Sequence, residues 1–323
     1  MRSSSKLFPV RLMATELHHG FYEDSYLLKP GNSSDTSAEI AVTKLSPVDA
    51  VESTTPVVCL HGMFNNRMVW QPHRIKGFAD KLLAAGYQVW LPELRGHGRS
   101  PVNYFYNDNT FDDAIAFDLP AINAFVSEQT QKKPVWIGHS LGGFAIAGAL
   151  ARNYIDQDTL SGMALIGAQS DKLHWILNMP LAAMISSWIV KKKPFIEGYR
   201  HGFGPENEPG RFVADILRWQ AGRGWISRDK FDYLQGLSMV SLPAFLATFG
   251  VESKDAVGDK KSRNLLDNLG SVNKSHHHFA FAKPAENFNQ IDMLLGRLAE
   301  ERVWPELVRW IELLQNSSAR QVA

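Results

Sequence analysis

Up to about Ser53 the chain alternates short apolar runs with polar breaks such as "KPGNSSDTSAE", the pattern of antiparallel strands joined by turns. A different rhythm follows. "VVCLHG" predicts a strand, "IKGFADKLLAAG" a helix and "YQVWLPEL" a second strand. "FDDAIAFDLPAINAFVSEQT" has helical spacing, with Pro120 expected to kink or divide it. "VWIG" and "GMALIGA" read as strands on either side of an Ala-rich helix, "LPAFLATFG" as a later strand, and "VWPELVRWIELLQ" as a closing helix. Strands alternating with helices imply a mostly parallel sheet covered on both faces.

The rhythm breaks between about Asp171 and Val240, a Trp- and Met-rich stretch of mainly helical pattern around the loop "GFGPENEPG". The expected organisation is therefore an α/β core formed by residues 1–170 and 241–323. Residues 171–240 would be a helical cap above the carboxyl ends of the strands, where open α/β sheets place their ligands. Within that insertion, "WILNMPLAAMISSWIV" (Trp175–Val190) precedes Lys191, Lys192 and Lys193. It falls short of the ~20 apolar residues of a membrane span and is interrupted by Asn178 and Pro180. It reads either as packing inside a helical subdomain or as a surface for transient lipid contact.

Composition narrows the function classes. A chain of 323 residues that is 45% hydrophobic can bury a large core, and a formal net charge of +1 gives no reason to expect nucleic acid. Cys59 is the single cysteine and reads as a small buried strand residue. The start, "MRSSSKLFPVRLMATELHH", lacks the apolar centre of a secretory signal, so a cytoplasmic protein is expected.

The candidate chemistry centres on "GHSLGG". Ser140 stands between Gly138 and Gly142, after a short buried strand and before a helix. On so sharp a strand-to-helix turn a nucleophile has a strained backbone, and its neighbours two residues away are forced together. Glycine at both places relieves the crowding and leaves the hydroxyl exposed above the sheet. The phosphate-loop patterns GxxxxGK[ST] and GxGxxG are absent here. A serine hydroxyl is a weak nucleophile and needs a base, an orienting acid and an oxyanion hole.

In "LHGMFNN" (Leu60–Asn66), "PELRGHGRS" (Pro92–Ser100), "GHSLGG", and a carboxylate then a histidine after the insertion, the chain resembles the α/β-hydrolase superfamily, most of all its lipases and esterases. The resemblance implies an oxyanion hole made by the main-chain N–H groups of Met63 and Leu141. It also implies a Ser-His-Asp triad and no cofactor. In "RGHGRS", Arg95, His97 and Arg99 read as loop-locking groups; Glu93 stands where the common family pattern has Asp. For the acid, "FLATFGVESKDAVGD" offers Asp255 first, Glu252 second, and also Asp259, while Asp171 is a further position used by some members. For the base, "NKSHHHFAF" offers His278, then His277. His276 is expected to be silent, because neighbouring side chains in an extended segment point in opposite directions. The triple histidine does not read as a metal site, since ligands come from spaced positions.

The expected reaction is hydrolysis of a small-molecule carboxylic ester with a fairly apolar acyl part. Met184 and Trp188 of the insertion would line the acyl pocket, or else only pack the insertion onto the core. A thioesterase or acyltransferase would use the same triad, and a ligand-binding protein on the same fold would need none of it.

Overall fold

A computed structural model describes residues 3–49, 55–168, 180–219, 224–251, 264–281 and 290–322. The antiparallel pattern at the start forms β1 (Val10–His18), β2 (Phe21–Leu28) and β3 (Ile40–Pro47). The alternating region forms β4 (Pro56–Leu60), α1 (Phe78–Ala84), β5 (Gln88–Glu93), α2 (Phe111–Asp113), α3 (Leu119–Thr130), β6 (Val135–His139), α4 (Leu141–Ala151) and β7 (Gly162–Ile166). After β7 come α5 (Pro180–Val190), β8 (Phe195–Ile196), α6 (Gly198–His201), β9 (Glu208–Pro209), α7 (Gly210–Arg218) and α8 (Tyr233–Leu237). The chain then returns to the sheet as β10 (Ala244–Val251) and β11 (Lys274–Phe281), and α9 (Trp304–Val322) closes it.

The nine-stranded sheet has the order β1-β2-β3-β5-β4-β6-β7-β10-β11. Pairings from β1 through β3 to β5 are antiparallel, and every pairing from β5 through β4 to β11 is parallel. Strand alternation divides the core in two. Val58, Leu60, Trp90, Trp136, Leu165 and Leu246 pack with α3 and α4 on one face. Cys59, Val89, Ile137, Ala164, Phe245 and Ala247 pack with α1 and α9 on the other. Burial on both faces explains why these strands read as continuous apolar runs.

Pro120 does mark a break in its helix. A π-helical turn (Ala114–Asp118) separates α2 from α3, and Pro120 sits in the first turn of α3. There a missing N–H costs little. The break also sets Asp118, fully buried, against Arg95 from the loop after β5. The three histidines of the extended segment lie inside β11, an edge strand parallel to β10. No helix among the described residues is long and apolar enough to cross a membrane.

Ile137, wholly buried between β4 and β7 on the α1/α9 face, tests this two-faced core. Ile137→Ala is expected to lower unfolding free energy by ~2–5 kcal/mol, read as a lower urea midpoint with an unchanged slope.

Candidate active site

Ser140 links β6 to α4 with φ 49° and ψ −119°, a conformation that non-glycine residues rarely adopt. Its neighbours permit this. A Cβ on Gly138 would lie 2.5 Å from the Cα of Gly143, and one on Gly142 would lie 2.4 Å from the His61 carbonyl oxygen. The elbow is tied to the next strand by the Ser140 N–H, which donates to the Ile166 carbonyl at 2.8 Å. Among the described residues nothing hydrogen-bonds the Ser140 hydroxyl.

The loop after β4 meets this elbow directly. A Cβ on Gly62 would stand 3.0 Å from the Cβ of Ser140 and 3.0 Å from the His139 carbonyl oxygen. Met63 follows Gly62, and Leu141 is the first residue of α4, whose N–H has no acceptor within its own helix. The structure therefore brings Ser140, Leu141 and the loop carrying Met63 together. Two main-chain donors at a nucleophile are suited to stabilising negative charge on a carbonyl oxygen.

Histidines line this region, and among the described residues none of their side chains hydrogen-bonds Ser140. His61 accepts the Leu94 N–H at Nε2 (3.1 Å), which leaves the proton on Nδ1 to donate to the Gly62 carbonyl (2.8 Å). Burial, then the neighbouring His97 charge, pushes the His61 pKa down to about 3, so this ring is neutral. Burial also pushes His97 down, but the Glu208 carboxylate 3.0 Å from its Nε2 outweighs it, and the result is raised to about 9. His97 is thus the charged partner of a buried ion pair. Arg95 is held by Asp118, and Arg99 by Glu23 and Ser25, each at 2.8 Å. All three basic residues of "RGHGRS" are engaged in locking the loop.

The register of the sheet sets the expected base, His278, apart from Ser140. Thr248 pairs with His278 across β10 and β11, Ala247 pairs with Ile166 of β7, and Ile166 pairs with His139 of β6. His278 is thereby level with Ser140 but three strand spacings away, roughly 14 Å between backbones at ~4.8 Å per strand. An imidazole does not bridge that distance, and the His278 Nδ1 instead lies 2.9 Å from the Thr248 hydroxyl. The His276 Nε2 lies 2.9 Å from the same hydroxyl. His277 faces the opposite side, stacked on Phe245 at 4.7 Å and 3.8 Å from Glu306 of α9. Alternation along a strand explains this division. Asp255, Glu252, Asp259 and Asp171 lie outside the described residues.

Met184 and Trp188 are exposed on α5, Trp188 by 62%. With Ser187, Lys191, Ala214, Asp215, Arg218 and Arg228 they line a cleft of about 350 Å³ between α5 and α7. Its lining includes neither Ser140, Met63 nor Leu141, and half of it is charged, unlike an acyl pocket. Local sequence gave no signal for Glu208, which reads as one more carboxylate in a polar loop. Only its burial against His97 singles it out.

A model of the α/β hydrolase fold matches residues 55–194. The chain is 33% identical over 115 residues to the tear acid lipase-like protein of Mesocricetus auratus, covering 32% of this chain and 29% of that one. The chain's match thus spans less than a third of that relative's length. Lipase member K of Mus musculus is 24% identical over 327 residues, covering 79% of each chain. The crystal structure of the Paleococcus ferrophilus monoacylglycerol lipase aligns with a TM-score of 0.56 at 15% identity, covering 85% of this chain and 99% of that one. The match extends over most of the sheet and shows the fold.

The two histidines of opposite charge state predict a pH dependence of stability. His97, raised to about 9 from 6.5, contributes in full below 6.5 and loses that contribution as pH rises through about 9. His61, lowered to about 3, is neutral when folded but protonates in the unfolded chain, so its penalty grows as pH falls below 6.5. Urea midpoints are expected to fall from pH 6.5 to about 9 in the wild type, with His97→Gln flattening this alkaline limb. Parallel limbs in the two proteins would show that His97 is not the group responsible.

Proposed function

We propose that this chain, an α/β-hydrolase-fold protein similar to lipases and esterases, hydrolyses carboxylic esters through Ser140. One observation carries the reading. A serine with a strained backbone, its hydroxyl without a hydrogen bond among the described residues, stands against a glycine loop and a helix start that offer main-chain donors. A binding protein has no need to maintain that strain.

In the proposed reaction the Ser140 oxygen forms a bond to the ester carbonyl carbon, and the carbonyl electron pair moves onto oxygen. The N–H groups of Met63 and Leu141 hold that oxyanion. A general base takes the serine proton and returns it to the leaving alcohol as collapse of the oxyanion breaks the ester bond, and water then repeats the sequence on the acyl-enzyme. Each donor of this kind is worth ~3–4 kcal/mol of transition-state stabilisation. His278, held on Thr248 in the β11 register, acts in this arrangement as part of the sheet edge rather than as the acceptor of the serine proton.

An apolar acyl group is supported by the relatives named as lipases. The exposed face of α5, with Met184, Ile185, Trp188 and Ile189 beside Lys191, Lys192 and Lys193, supports contact with a lipid surface.

Ser140→Ala is expected to lower p-nitrophenyl ester hydrolysis by several orders of magnitude with the fold retained by circular dichroism. His278→Ala is expected to stay within about tenfold of wild type, because its imidazole is removed from the nucleophile by the strand register. Loss equal to that of Ser140→Ala would mean that the end of β11 leaves this register in the active enzyme.

Across a series of p-nitrophenyl esters, kcat/KM is expected to rise over the first several acyl carbons, each buried methylene contributing ~0.8 kcal/mol. Met184→Ala and Trp188→Ser should leave the shape of that profile unchanged. A profile reshaped by either variant would place the α5–α7 cleft in the acyl pocket after all.

A further inference from the structure

The loop that carries Met63 is held from outside the parallel sheet. Phe64, the next residue, has φ 59°, and both of its main-chain polar groups are tied to the segment around β9. Its N–H donates to Glu208 Oε1 at 2.8 Å, and its carbonyl accepts the Glu206 N–H at 3.0 Å. Asn66 Nδ2 donates to the Glu206 carboxylate at 2.5 Å, adding a second side-chain tie.

Peptide planarity carries the Phe64 N–H tie as far as the Met63 carbonyl, and the Met63 N–H lies in the preceding plane. That N–H shares a rigid plane with the Gly62 carbonyl, which points the opposite way. The Gly62 carbonyl accepts from His61 Nδ1 at 2.8 Å and from the Asn65 N–H at 3.3 Å. The following plane joins the Met63 carbonyl, bonded by Asn65 Nδ2 at 2.9 Å, to the Phe64 N–H, bonded by Glu208. Glu208 therefore shares with Asn65 the hold on one of the two peptide planes that meet at Met63, and removing it loosens that plane and with it the Met63 backbone.

The electrostatics of Glu208 fit a positioning role. The residue is 1% exposed, its Oε1 serves both Phe64 and His97, and its Oε2 has no hydrogen-bond partner among the described residues. Burying a carboxylate with one oxygen unbonded is costly unless a countercharge and hydrogen bonds offset it. His97 supplies the countercharge, and the backbone of Phe64 supplies the directional bond. A hydrophobic side chain would fill this space at lower cost but would leave the Phe64 N–H without its acceptor.

We propose that Glu208, from the insertion between β7 and β10, is a positioning residue that aims the Met63 N–H at the oxyanion. It does not touch the reacting atoms. This inference rests on the reading of Ser140 as nucleophile and Met63 as donor. It adds that the insertion sets the charge-stabilising geometry of the core.

The test compares matched ester and thionoester substrates. A developing oxyanion draws more from a well-aimed N–H than a thiocarbonyl sulfur does, and the rate ratio of the two substrates does not depend on how much enzyme is folded. Glu208→Ala is expected to lower the ester-to-thionoester ratio of kcat/KM by about tenfold, the scale of a displaced donor. Glu208→Asp keeps the charge for His97 but withdraws the carboxylate by one methylene, and should lower the ratio in the same direction. It serves alone if the alanine variant does not fold. Glu208→Gln retains an acceptor for the Phe64 N–H and is expected to stay within about twofold of the wild-type ratio. Ser140-dependent hydrolysis with a wild-type ratio in Glu208→Asp overturns the role of Glu208 alone. Wild-type hydrolysis that survives Ser140→Ala overturns both this inference and the reading beneath it.

Discussion

The close approach of the loop after β4 to the turn after β6 is the constraint on which the rest of the site depends. Gly142 stands against the carbonyl of His61 with no room for a β-carbon, and one on Gly62 would press on the β-carbon of Ser140. That approach is possible because β4 and β6 are parallel neighbours in the sheet, with Leu60 level with Gly138. Their carboxyl ends leave the sheet at one height. The strained Ser140 is paid for by the packing of α4 and the sheet behind it, a common arrangement where a local conformation serves chemistry.

A second layer of control is electrostatic. The neutral His61 and the charged His97 lie 5.2 Å apart between ring centres, yet their ionisation is driven in opposite directions. The difference is Glu208. Its carboxylate keeps the proton on His97, and the His97 charge helps keep a second proton off His61. A single buried carboxylate from the insertion thereby sets the state of His97 and adds to the burial that keeps His61 neutral. The buried Arg95–Asp118 pair secures the neighbouring loop from the other side. None of these groups has to touch a substrate to matter.

Much of this arrangement is legible in the order of residues. The alternation of apolar runs with helical spacing determined the parallel, two-faced sheet, because burial on both faces demands continuous apolar strands. The Gly-x-Ser-x-Gly spacing determined the elbow, since steric crowding two residues from a strained serine is a local matter. The loop-locking role of "RGHGRS" was also legible in kind, although not the partners. Tertiary structure decided what local sequence does not encode. Three adjacent histidines could sit in a loop or a strand, and pairing with β10 placed them in β11. That pairing gave His276 and His278 to one face and His277 to the other, and held His278 away from Ser140. Glu208 lies 111 residues beyond His97 in the chain, and no periodicity links them. Their pairing exists only because the insertion folds back onto the loop after β5, where removal from water makes an ion pair and a main-chain hydrogen bond worth forming.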